Sequence, residues 1–218
     1  GEARYAGAEE SNGSLRLGWL ANQWKKMSPD VEEAVNAARK VLESERSLSV
    51  LNVDLPEGPW EAAAGVTVSV EGASAFRSLI ASGGVAELND PLGKIGGYMN
   101  EEISASDYML AQRIRGVLQK RMDAVFAQAD VLVAATLPVT ATALDANLDE
   151  ALSFPDPIGG IGNFCGLPAM SVPCGFGREG TPVGLQFVAR PLDDAKVVQA
   201  ARLFQSRTNW HLRHPKLT

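Results

Sequence analysis

Two histidines, two cysteines and scattered serines bound what this chain could catalyse. His211 and His214 sit three residues apart beside Pro215, a spacing that could place two imidazoles on one helical face to hold a metal. No Cys, Asp or Glu cluster accompanies them, and Pro215 ends any helix there. The favoured reading is a polar tail that packs Trp210 on the body, and no metal is expected. A Ser-His-Asp triad would need one of these two histidines. Neither a Gly-x-Ser-x-Gly elbow nor a Ser-x-x-Lys pair occurs anywhere in the chain. Gly160-x-Gly162-x-x-x-Gly166 has the outline of a nucleotide-binding loop. It follows a Pro-containing loop and runs into Leu167-Pro168, so these read as turn glycines.

The elements around these residues read as α/β. Leu15, Leu17 and Trp19 alternate with Arg16 and Gly18 as a short strand. Ser28-Pro29-Asp30 then starts a helix, with a Ser cap, Pro at the first position and acid in the first turn. Its apolar stripe of Val31, Ala34, Val35, Ala38, Val41 and Leu42 runs to about Glu45. A second strand, Leu48 to Val53, completes a β-α-β start that favours parallel pairing. Pro59 to about Ala81 is expected to be helical but interrupted at Gly65 and Gly72.

Asn89 to Gly97 reads as a Gly-rich connection. A long helix capped by Ser106 is expected to reach Gln128, with Met109, Ile114, Val117, Leu118, Met122, Val125 and Phe126 inward. Val131 to Ala135 reads as a buried strand. Asp145 to Gly162 is expected to be mostly loop. Strands at Ala169–Pro173 and Val183–Ala189 and a helix from Asp193 to about Arg207 close the chain. Residues 1–14, rich in Gly, Glu and Ser, are expected to form a flexible leader, and 15–218 a single domain.

Bulk composition excludes several classes. A 45% hydrophobic, 21% charged chain of 218 residues is ordinary for a globular protein. A net charge of −6 argues against a sequence-independent grip on nucleic acid. No apolar run reaches the roughly 20 residues of a membrane span. Cys165 and Cys174 do not make a disulfide framework, so a reduced, cytoplasmic protein is the expectation.

The most informative stretch is Asn163-Phe164-Cys165-Gly166-Leu167-Pro168-Ala169 through Val172-Pro173-Cys174-Gly175, followed by Pro182-Val183-Gly184-Leu185-Gln186. In order and spacing it resembles the C-terminal part of the amidase signature family, and the resemblance extends from about Leu15 to the end. Ala129-Asp130-Val131-Leu132-Val133 with Thr136 and Pro138 is similar to the strand that brings this half to the active site, with Ala135 where many members have Pro. The ending Thr208-Asn209-Trp210-His211 with Pro215 fits as well. The resemblance implies a mixed twisted sheet with helices on both faces, as the C-terminal half of an amidase signature fold. It also implies hydrolysis of carboxamide C–N bonds by a Ser acyl-enzyme, with no cofactor.

An amide is a poor electrophile, so its cleavage needs an activated nucleophile, a proton donor for the leaving nitrogen and oxyanion donors. The family is understood to use a Ser, a second Ser and a Lys from a Gly- and Ser-rich N-terminal half. No Gly-Gly-Ser-Ser-Gly run exists here. The implied partner is therefore an N-terminal amidase half carrying the Ser/Ser/Lys set, as a separate chain or a removed segment, with a small amide as substrate and no direct nucleic acid or membrane. This chain carries no catalytic residue and is expected to be inactive alone.

By resemblance, Asp156, Ile158, Ile161, Asn163, Phe164 and Cys165 are the pocket candidates. Asp156 precedes Asn163 by the spacing of an Asp that holds the amino group of glutamine in amidotransferase A subunits. Its alternative is a loop Asp fixing a turn beside Pro157. Asn163 either meets substrate or organises loop backbone, and Cys165 either lines the pocket or is a small buried hydrophobe. The Arg those subunits offer to the glutamine carboxylate should fall near residues 89–95, where only Lys94 occurs. Two rival functions stay open: the A subunit of a tRNA-dependent amidotransferase, and a non-catalytic amidase-like module.

Overall fold

A computed structural model describes residues 14–20, 26–88, 102–151 and 154–213, the side chains of residues 148 and 149 apart. The expected leader, the 89–97 connection with Lys94, and His214 fall mostly or wholly outside these residues. Five strands form one mixed sheet: β1 (Leu15–Trp19), β2 (Leu48–Asn52), β3 (Val131–Ala135), β4 (Ala169–Phe176) and β5 (Pro182–Ala189), in the order β2-β1-β3-β5-β4. β1 pairs in parallel with β2 and with β3. Helix α1 (Pro29–Glu43) forms the β1–β2 crossover that parallel pairing requires. β5 returns antiparallel to β3, and β4 pairs antiparallel with β5. The β4–β5 register slips between Pro173 and Gly175, where Pro173 has no N–H for a ladder bond.

Helices cover both faces. α1 and α7 (Asp194–Ser206) pack Val31, Leu42, Val197 and Phe204 onto Leu17, Val133, Leu185 and Phe187. On the other face, α2 (Trp60–Ala75), α4 (Ala105–Phe126) and α6 (Pro157–Cys165) gather around Leu132, Ala134 and Val188. Strand alternation sorts the two sets, since Val131 and Val133 face one layer while Leu132 faces the other.

Four expectations are corrected. Gly65 and Gly72 lie inside a continuous α2; the break comes at Phe76, before the short α3 (Arg77–Ala81). A helical glycine costs roughly 1 kcal/mol relative to alanine, which α2 absorbs by packing on α4 and α6. The cap of α4 is Ser104, not Ser106: its Oγ accepts from the Asp107 N–H at 3.1 Å. Met109 and Val117, expected inward, are 51% and 49% exposed, because the buried stripe of α4 runs instead through Ala111, Leu118, Met122 and Val125.

The fourth correction matters for the site. The expected loop from 145 to 162 holds α5 (Leu148–Ala151) and the start of α6. Gly160 and Gly162 are helical residues, not turn glycines; only Gly166, at φ 70°, takes the left-handed position that ends α6.

Candidate functional site

Helix α6 carries all the sequence-predicted site residues but one, and Asp156 caps it. Asp156 Oδ1 accepts from the Gly159 N–H at 2.9 Å, and Pro157 follows at the first helical position. A Cβ on Gly159 would run into the Asp156 carboxylate and displace it from its cap. At the far end Gly166 N–H donates to the Asn163 carbonyl and Leu167 N–H to the Gly162 carbonyl, closing the helix in a glycine-capped turn.

The predicted residues divide by face. Ile158, Ile161, Phe164 and Cys165 are buried in the layer shared with α2 and α4. Asp156 is half-buried and Asn163 exposed. Asn163 Nδ2 donates to the Gly159 carbonyl at 2.8 Å, so its amide organises the helix backbone. Burial pushes the Cys165 thiol up to about 11, against the opposing pull of the Arg115 charge. It pushes Cys174 to about 12. Both are therefore protonated, unreactive thiols at neutral pH.

Sequence reasoning did not single out two features. The first is a cavity of about 970 Å³ at the C-terminal ends of the parallel strands β1 and β2, floored by Leu20, Val53 and Ile161 and rimmed by Asp54, Glu57 and Glu61. Its wall is set by Trp60, whose Nε1 donates to the Pro56 carbonyl at 2.6 Å. Arg121 stacks on that ring at 5.4 Å and donates to the Glu57 carbonyl. The signal was available: ligands of open α/β sheets gather beyond the carboxyl ends of parallel strands, and β1 and β2 were legible.

The second feature is a hydroxyl pair on the sheet. Thr136 Oγ1 and Ser171 Oγ lie 2.6 Å apart over Gly184, where a Cβ would approach both oxygens to within 2.8 Å. Beside them Gln186 Nε2 donates to the Ala135 carbonyl at 3.2 Å. Only three-dimensional pairing of β3, β4 and β5 brings these residues together.

Among the described residues no Ser or Thr hydroxyl is hydrogen-bonded to a Lys or His, and no group of three His, Cys, Asp or Glu is placed to hold a metal ion. His211 lies in a single helical turn, Trp210–Leu212, and Trp210 packs on Phe176 with ring centroids 6.0 Å apart. None of the described helices is long and apolar enough to cross a membrane.

Comparison with known proteins adds a consistent picture. A family model described as Amidase matches residues 2–198. The A subunit of a glutamyl-tRNA(Gln) amidotransferase from Cupriavidus pinatubonensis is 32% identical over 96% of this chain and 47% of its own length. An amidase from Pseudomonas putida is 29% identical over 93% of the chain and 45% of its own length. The solved structure of a bacterial aryl acylamidase of the amidase signature family superposes with a TM-score of 0.71 at 21% identity, over 93% of this chain and 45% of that one. The fold is thus that of amidase signature enzymes, and the chain spans about half the length of the relatives it matches.

Proposed function

Because the chain belongs to the amidase family, we propose that it forms the substrate-wall half of an enzyme that cleaves carboxamide C–N bonds. In this reading a Ser hydroxyl from a companion N-terminal half attacks the amide carbon. The C–N bond breaks as the leaving nitrogen takes a proton relayed through the second Ser and the Lys, and water then hydrolyses the acyl-Ser ester. The described half contributes strands, the α6 pocket wall with Asp156 at its cap, and the adjoining cavity. One observation carries the proposal: a family match along most of the chain coincides with relatives twice its length and with no Gly-Gly-Ser-Ser-Gly segment of its own. The uncovered apolar side chains of the α2–α4 layer, such as Val68, Phe76 and Leu110, support a companion that packs there.

Fluorophosphonate labelling tests it. The isolated chain should stay unlabelled and release no ammonia from simple amides, while a companion bearing the Ser-rich segment labels and the pair turns over. Labelling of the isolated chain, or a labelled pair that releases no ammonia, overturns the reading. The likeness to an amidotransferase over 96% of the chain favours one alternative, in which the ammonia comes from glutamine and passes to a charged tRNA. Glutaminase activity that depends on a further polypeptide would identify it. A preparation in which nothing labels would instead indicate a non-catalytic module.

A further inference from the structure

Arg115 stands on α4 with its guanidinium carbon 5.8 Å from the ring centroid of Phe164, beside Cys165, whose thiol feels its charge. Its Nε is buried and meets no acceptor. The other half-buried arginines described, Arg39 and Arg190, each meet a carboxylate, on Glu43 and Asp123. Two carboxylates that act on the same groups as Arg115, Glu71 on Tyr108 and Asp123 on Cys165, have other partners. Glu71 accepts from the Tyr108 hydroxyl at 3.2 Å, and Asp123 faces Arg190 at 4.0 Å.

A guanidinium cannot shed its proton to escape burial, and stacking on an aromatic ring satisfies none of its N–H donors. A planar fork held by a ring, with an unbonded donor, matches the geometry of a carboxylate. We propose that Arg115 is a carboxylate-binding residue at the C-terminal end of α6. The carboxylate comes either from the substrate or from an acidic side chain of the companion half. As a substrate contact the assignment rests on the amidase reading; as an anion site it stands without it. In the first case the preferred substrate is an amide that also carries a carboxylate.

The test uses the 218-residue chain with ¹⁵N-labelled arginine, following the Arg115 Nε–Hε signal during titration at constant ionic strength. Acetate should shift that signal saturably, while exposed Arg113 on the same helix shows no saturation. Sodium chloride and neutral succinamide should have no such effect. Arg115→Gln identifies the signal by its loss, and Arg115→Lys serves if that variant fails to fold. Succinamate, carrying both carboxylate and carboxamide, decides the source. Binding at least tenfold tighter than acetate assigns the substrate, and equal affinity assigns a companion side chain. No saturable shift with either carboxylate, or an equal shift with chloride, overturns the proposal. That outcome leaves the labelling test of the amidase reading untouched.

Discussion

On one side of the sheet α1 and α7 turn a single apolar stripe inward and charge outward, and among the described residues neither exposes a large hydrophobic side chain. On the other side α2 reads Trp-Glu-Ala-Ala-Ala-Gly-Val-Thr-Val-Ser-Val-Glu-Gly-Ala-Ser-Ala and is apolar around most of its circumference. There Val68 is 67% exposed, Phe76 63%, Leu110 53% and Met109 51%. A helix apolar all round is normally covered all round. The α1/α7 face is therefore finished by this chain's own residues, while the α2–α4 layer has more apolar surface than its neighbours here cover. The candidate site lies in the second layer.

The largest effect should come from the finished core. Phe187, fully buried against Phe204 at 6.3 Å, is expected to cost about 3–5 kcal/mol on truncation to Ala, read from urea denaturation. A loss under about 1 kcal/mol, far below that range, would mean that the α1/α7 layer does not dominate stability.

Two glycines sharpen the contrast by sign. A Cβ on Gly175 would sit 2.7 Å from the Ala34 Cβ, where β4 meets α1, whereas one on Gly65 of α2 meets nothing within 4 Å. Gly175→Ala should destabilise by about 1–3 kcal/mol through overpacking. Gly65→Ala should stabilise by about 0.5–1 kcal/mol. Thermal melts of the two variants check both, and shifts of the same sign would erase the distinction between the layers.

At the site, Asp156→Ala should cost about 1 kcal/mol by removing the α6 cap, and Asp156→Asn only a fraction of that. Far-ultraviolet dichroism with urea melts gives the comparison.

A further effect depends on pH. The Arg178 backbone N–H, and then its guanidinium, hold the Asp30 carboxyl below the ordinary aspartate value. A depressed folded value means the stabilisation is present above the unfolded value of about 3.9. It is lost as pH falls through the folded one. Asp30→Asn should therefore be the less stable protein at neutral pH and should flatten the decline below about pH 4, the unfolded aspartate range, so that the two proteins converge in acid. Equal acid slopes for both proteins would remove this pin from the α1 face.

The smallest change is expected at Phe76. Its replacement by Ser should alter stability by no more than about 0.5 kcal/mol while reducing self-association on size-exclusion chromatography. A large destabilisation would show that Phe76 packs more than its exposure indicates.

Most of the fold was legible because its signals are local. Pro29-Asp30 marked the start of α1, although Ser28 Oγ makes no cap bond, alternation at Leu15–Trp19 gave β1, and the uniform Val131–Ala135 run gave a strand buried on both faces. The misses share a cause. Gly159, Gly160 and Gly162 obscured α6, although Asp156-Pro157 supplied a cap and Ile158, Ile161 and Cys165 kept helical spacing. Met109 and Val117 were misassigned because their layer leaves apolar residues outward, where hydrophobicity stops marking the core.

Residue order alone carried most of the strand and helix assignments, the parallel start, the kinship written in Asn163 to Gln186, and the want of a nucleophile segment. These depend on spacing along the chain. It took packing in three dimensions to close a helix end with the Asp156 carboxylate, to open a cavity at the β1–β2 ends, and to lay Arg115 on Phe164 with a donor unbonded. Such facts depend on distances between groups on separate elements, which packing sets and local pattern does not encode.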